Sequence, residues 1–188
     1  LVFNTNQCRD VRDWFEFYGR EWKVPVLGIR SPKSLERVAE GDVDDVAWQI
    51  EAMVEPLERI AESYRKIRNT IRYLLASVGD FTPGRDDVPL AEMEEMDRYA
   101  LVLFDRLVEK VLRAYENYEF HVLYHSLLNF CVVDLSGFYL DVSKDRLYTS
   151  APTSGARRSG QTAMYEILHA LLRLMAPVLS FTADEVWG

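Results

Sequence analysis

From about residue 44 onward, apolar residues recur every three or four positions. Between about Asp44 and Val78, the residues Ile60, Tyr64, Ile67, Ile71, Leu74, Leu75 and Val78 form one stripe, the pattern of a long amphipathic helix. Pro56 lies inside it and marks a point for a kink, because proline brings no N–H to the i−4 carbonyl. Gly79 stands where a C-terminal cap belongs, and a polar loop leads to Pro89. A second helix is predicted from about Leu90 to Tyr118, with Ala100, Leu103, Leu107, Val111 and Ala114 on its inner face. A third covers roughly Phe120 to Leu140 and uses Leu123, Leu127, Phe130 and Cys131. Asp141 to Ser159, with Pro152, Gly155 and several Ser and Thr, reads as a long loop. A fourth helix runs from about Gly160 to Met175 and stops before Pro177. Thr182 with Glu185 three residues on has the spacing of a capping box, opening a fifth.

Residues 1–38 differ. They hold Trp14, Phe15, Phe17, Tyr18 and Trp22 in close succession, then Val24 to Ile29, which reads as a short strand because Pro25 and Gly28 oppose a helix. Ser31-Pro32-Lys33-Ser34 reads as a turn or a helix start. The expected class is an all-α helical bundle with a short mixed N-terminal extension, divided as residues 1–43, a linker or remnant of a preceding domain, and residues 44–188, the bundle. The absence of an initiator Met and the close approach of the last cap to the C-terminus suggest a piece cut from a longer protein.

Composition narrows the class. The 188 residues are 48% hydrophobic and 28% charged, which fits a globular chain rather than a disordered one. No run of 18 apolar residues exists, so no membrane partner is expected. Two cysteines far apart, Cys8 and Cys131, make neither a disulfide framework nor a zinc pattern and suit a cytoplasmic protein. A net charge of −8 argues against a broad nucleic-acid sheath and against DNA as a partner. Charge is uneven, however. Seven acids and no base lie between Glu40 and Glu58, five bases and one acid between Arg59 and Tyr73, and eleven acids and five bases between Gly79 and Glu119. A small docking surface fits this better than a uniformly basic face.

Few residues suggest chemistry. His121 and His125 lie at i, i+4, but no glutamate stands between them and no third ligand is near, so they read as helix-face histidines rather than a metal site. Cys131 reads as a small core residue, and acid pairs such as Glu94-Glu95 and Asp86-Asp87 as solvated neighbours. There is no glycine-rich phosphate loop. The expectation is no catalytic residue, no metal and no cofactor in this chain. Arg65, Arg68, Asn69 and Arg72 share one helix face beside the apolar stripe. Either they clamp neighbouring helices through carboxylates such as Asp134 or Asp141, or they present guanidinium groups to phosphates and base edges. Lys144, Arg146, Arg157 and Arg158, with Tyr148 nearby, form a second basic group in the predicted long loop, suited to holding single-stranded RNA.

The run AESYRKIRNTIRYLL (61–75) resembles the first long helix of the anticodon-binding domain of bacterial-type isoleucyl-tRNA synthetases, of class Ia. DRYA (97–100), the stretch Ala114 to His121, FYLDVSKDRLY (138–148), ARRSGQT (156–162) and MAPVLSFTADEVW (175–187) resemble later parts of that domain. The resemblance covers about residues 59–188. It implies a bundle of the class Ia anticodon-binding type that grips tRNA, tRNA-Ile in particular, within a cytoplasmic ligase that joins isoleucine to tRNA using ATP and Mg²⁺. The rest of that synthetase would then be a further partner. Lys33-Ser34-Leu35 resembles the tail of one ATP-binding signature, but Pro32 replaces its serine. The segments for catalysis, editing and the zinc module are not among these residues. Another reading is a stand-alone interaction module, with residues 1–38 as a protein-binding head carried by Trp14, Phe15, Phe17 and Trp22.

Overall fold

A computed structural model describes residues 2–4, 9–21, 26–29 and 40–187. Contacts divide the chain into two compact units, Leu1–Ser63 and Tyr64–Gly188. The first holds β1 (Val2–Asn4), α1 (Arg9–Glu21), β2 (Leu27–Ile29) and the start of α2 (Glu40–Ser77). β1 and β2 pair in parallel, Val2 opposite Leu27, with α1 as the crossover that parallel strands require. The expected extended piece is therefore β2, while Cys8, Val24–Pro25 and the segment from Ser31 to Leu35 lie outside the described residues. Pro56 lies within α2, whose helical backbone continues through it from Glu40 to Ser77.

The second unit contains the rest of α2, α3 (Glu95–Glu116), α4 (Phe120–Asn129), α5 (Leu140–Thr149), α6 (Gly155–Met175) and α7 (Ser180–Trp187). It is an all-α bundle, as the periodicity predicts. Ile67, Ile71 and Leu74 of α2 are buried, and pack with Ala100, Phe104, Leu107 and Val111 of α3 and Ile167, Leu168 and Leu171 of α6. Each of these side chains larger than alanine contributes about 1.5–3 kcal/mol by leaving water. Two stripe positions depart from the pattern: Ile60 and Leu75 are exposed. On α3, Phe104 fills the place expected of Leu103, which is half-buried.

The largest departure lies between α4 and α6. Helical backbone does not stop near Leu140; it passes through a π-helical segment, Phe130–Tyr139, into α5. Buried Phe130, Cys131, Leu135 and Tyr139 recur at four to five positions, which suits a ladder of i→i+5 bonds and not the 3.6-residue period. Asp141–Thr149, expected as loop, is helical because Leu140, Ser143 and Leu147 face the core, while the Thr149 hydroxyl donates to the Asp145 carbonyl at 2.7 Å. Only residues 150–154 separate α5 from α6, and Ser154 Oγ caps α6 by accepting from the Arg157 N–H at 3.3 Å.

The ends of the helices also differ from the pattern. Gly79 has no left-handed backbone; Gly84, with φ of 81°, is the glycine that supplies one, in the turn beyond. α7 begins at Ser180, before the expected capping box. Thr182 lies inside it and its hydroxyl meets the Tyr64 hydroxyl of α2 at 2.8 Å.

Candidate nucleic-acid interface

Burial of Ile67, Ile71 and Leu74 sets the rotation of α2, which turns Arg65, Asn69 and Arg72 to solvent. Among the described residues none of these three has a hydrogen-bond or ion-pair partner. Arg68, on the same face, meets Glu185 Oε1 of α7 at 3.3 Å, with both side chains partly in water (42% and 64% exposed). An exposed pair of this kind is worth no more than about 1 kcal/mol, so an incoming anion competes with it easily. On the inner side Thr70 ties this face to the π segment, its hydroxyl 2.9 Å from Ser136 Oγ and donating to the Lys66 carbonyl at 3.0 Å.

α5 comes alongside. Lys144 reaches Asp141 Oδ1 at 2.7 Å on the surface. Tyr148 is 72% exposed and its hydroxyl donates to the Tyr73 hydroxyl at 3.5 Å. Burial first, and then Tyr148, pushes the Tyr73 hydroxyl up to about 12, so it stays protonated at neutral pH. A hollow of about 450 Å³ lies between the two elements, lined by Lys66, Asn69, Tyr73, Ser136, Asp141 and Lys144. Asn69 of α2 and Lys144 of α5, far apart in the chain, thus line one surface depression.

The other three arginines of the second basic group turn inward, and none lies in a long loop. Arg146, on α5, pairs with Asp97, whose carboxylate is wholly buried and also accepts from Tyr139 Oη at 2.7 Å and Ser159 Oγ at 2.5 Å. Burial alone would lower the Arg146 guanidinium; the hydrogen bond to Asp97 and the charges of Asp97, Tyr139 and Glu94 together outweigh it, and the net shift is upward. Tyr139 is pushed up, by burial first and then by the Asp97 charge. Arg157, in the first turn of α6, donates to the Leu147 carbonyl and to Asp80 at 3.2 Å. Arg158 donates to Gln161 Oε1 at 2.7 Å and lies 3.6 Å from Asp86. Burial raises the Asp80 carboxyl, but hydrogen bonds from Gln161 and Arg157 outweigh it and bring it below its usual range. These arginines lock α5 and α6 to α3 and to the loop at residues 80–86.

Asp97 is the residue the periodicity missed. It falls in phase with Ala100, Phe104, Leu107 and Val111, and a carboxylate on an apolar stripe is itself the signal of a buried counter-charge. His121 and His125 line a shared hollow, and among the described residues no group of three His, Cys, Asp or Glu is arranged to hold a metal ion. Cys131 is fully buried, which pushes its thiol up to about 12. In the first unit Trp14 and Phe17 are exposed, and Trp22 lies outside the described residues.

A bundle with open cations along one helix edge has the form of a binding domain. Residues 97–188 match the family model described as the anticodon-binding domain of tRNA ligase. Isoleucine–tRNA ligases are among the proteins the chain is similar to. The chain is 51% identical over 143 residues (76% of it) to an isoleucine–tRNA ligase of Moorella thermoacetica, and 52% over 144 residues (77%) to one of Halorhodospira halophila. It is 55% identical over 131 residues (70%) to one of Desulforamulus reducens. The chain spans about 15% of the length of these relatives. Nothing in these matches supports the stand-alone module with a protein-binding head. No helix among the described residues is long and apolar enough to cross a membrane.

Proposed function

We propose that this chain acts within a cytoplasmic isoleucine–tRNA ligase, where its bundle holds the anticodon arm of tRNA-Ile through Arg65, Arg68, Asn69, Arg72 and Lys144. The observation that carries this is the open edge of α2, where Arg65, Asn69 and Arg72 stand exposed with no described partner beside a hollow that Lys144 also lines. Guanidinium groups suit phosphate oxygens and guanine edges, and the asparagine amide suits adenine. Arg146, Arg157 and Arg158 support the surface rather than touch the RNA, since each is engaged within the fold. Binding here adds nothing to the bond-making step itself. It orients the tRNA so that the acceptor end meets a distant active site, lowering the entropic part of that barrier.

The ATP and Mg²⁺ that such a ligase uses belong, on this reading, to other parts of the whole protein. The test is a fluorescence-anisotropy titration of this chain with a tRNA-Ile transcript at several salt concentrations. Arg65→Ala with Arg72→Ala is expected to weaken binding and to flatten the salt dependence by about one unit of slope per contact. An unchanged affinity and slope would overturn the reading.

A further inference from the structure

A second, larger hollow lies on the other side of Lys66. Its volume is about 790 Å³, within the range of about 300–1,000 Å³ usual for ligand clefts. Arg106 and Lys110 of α3 stand at its rim, together with His121 and His125 of α4, and Leu103, Val122 and Leu128 are among the apolar side chains that line it. Arg106 and Lys110 are four residues apart on one face, both exposed, and neither has a partner among the described residues. Asp134 is the one carboxylate in the lining, against the two cations of α3 and Lys66. In a chain of net charge −8, two such cations beside an apolar floor are a local exception.

Continuity with the proposed tRNA face identifies the occupant. Lys66 and Val132 line both this hollow and the smaller one that holds Asn69 and Lys144. The two depressions thus adjoin at Lys66 and Val132. We infer that the α3–α4 groove is a second RNA subsite, in which Arg106 and Lys110 bind the phosphates of nucleotides next to those held on the α2 edge. The apolar floor takes the flat face of a base or sugar, while the two cations hold the backbone. This rests on the tRNA-binding reading above, and it adds Arg106 and Lys110 to the interface. An acidic protein segment has related chemistry, but it would not account for the continuity with the α2 edge.

The experiment titrates the whole chain with a tRNA-Ile transcript by fluorescence anisotropy between about 50 and 200 mM salt. The groove variant, Arg106→Ala with Lys110→Ala, is compared with a control that removes two exposed cations elsewhere, Arg59→Ala with Arg98→Ala. Loss of two phosphate contacts is expected to weaken binding roughly 25- to 60-fold at about 0.1 M salt and to lower the slope by about 1.5, with the control close to wild type. Both substituted positions are exposed, so the circular-dichroism melting curve should not move. If the groove variant matches the control while Arg65→Ala with Arg72→Ala loses affinity, the groove inference falls and the α2 reading stands. If neither variant loses affinity, both fall. A poly-glutamate peptide is the competing probe. If it binds the wild type more tightly than the transcript does, and binding is lost in the groove variant, the site belongs to an acidic protein partner and the RNA assignment is overturned.

Discussion

Replacing Asp97 by asparagine removes one negative charge from the centre of the bundle and keeps its shape. In the native fold that carboxylate accepts from Arg146, Tyr139 and Ser159 and is itself fully buried. Arg146 keeps 20% of its side chain in contact with solvent, so the positive charge left behind is mostly, but not wholly, cut off from water. At an effective dielectric of about 20 and a charge separation of about 4 Å, the lost attraction is about 4 kcal/mol. Breaking a buried pair typically costs about 3–5 kcal/mol, and the partial exposure of Arg146 brings the expectation toward about 3 kcal/mol. For a chain of this size that is a fall in Tm of roughly 10 °C. Arg146→Met should cost a similar amount, because it leaves a buried carboxylate with two neutral donors. The double variant should lose less than the sum of the singles by at least about 1.5 kcal/mol. The assay is urea or thermal unfolding followed by circular dichroism at pH 7. Costs below about 1 kcal/mol, or strict additivity, would refute the assignment of this cluster as a buried charge lock. Binding supplies a second check. Arg146→Met, measured well below its Tm, should keep wild-type tRNA affinity, since Arg146 faces Asp97 and not the RNA.

Two further outcomes follow from the same helices and the loop beside them. Gly160→Ala would normally help a helix interior by about 1 kcal/mol, but its Cβ would stand 3.0 Å from Arg146 Nη2. The expected result is a net loss of about 1 kcal/mol in wild type; a gain in stability there, read from the melting curve, would show that Arg146 is not held in place. Asp86 is lowered to about 2 by the Arg85 hydrogen bond first and the Thr82 backbone N–H second. A depressed carboxyl stabilises the fold above its unfolded value of about 3.9, and that contribution disappears as pH falls through about 2. Asp86→Asn should therefore flatten the fall of Tm between about pH 4 and pH 2, and an unchanged curve would contradict this.

Much of the proposed interface was legible one residue at a time. The spacing of Arg65, Arg68, Asn69 and Arg72 beside Ile67, Ile71 and Leu74 placed a polar edge next to a core stripe, and α2 presents it that way. The strings at 61–75, 138–148 and 175–187 pointed to the anticodon-binding family before any fold was known. The fate of the second basic group was not legible. Lys144, Arg146, Arg157 and Arg158 look alike in a polar stretch, yet only Lys144 borders the open surface. The reason is that Asp97 and Asp80, which hold the arginines, lie 49 and 77 residues away in the chain from Arg146 and Arg157.

What the sequence determined by itself was helical period, the rotation of each stripe and the positions where charge collects, since these depend on neighbours within a turn or two. What the tertiary structure decided was which of those charges remain available. A guanidinium is drawn to whichever carboxylate the folded chain brings near, and that meeting depends on how helices pack. The π segment belongs to the same class. Its Phe130, Leu135 and Tyr139 take an i→i+5 ladder because that spacing turns all three inward at once, a gain that exists only with α2, α3 and α6 already there to receive them.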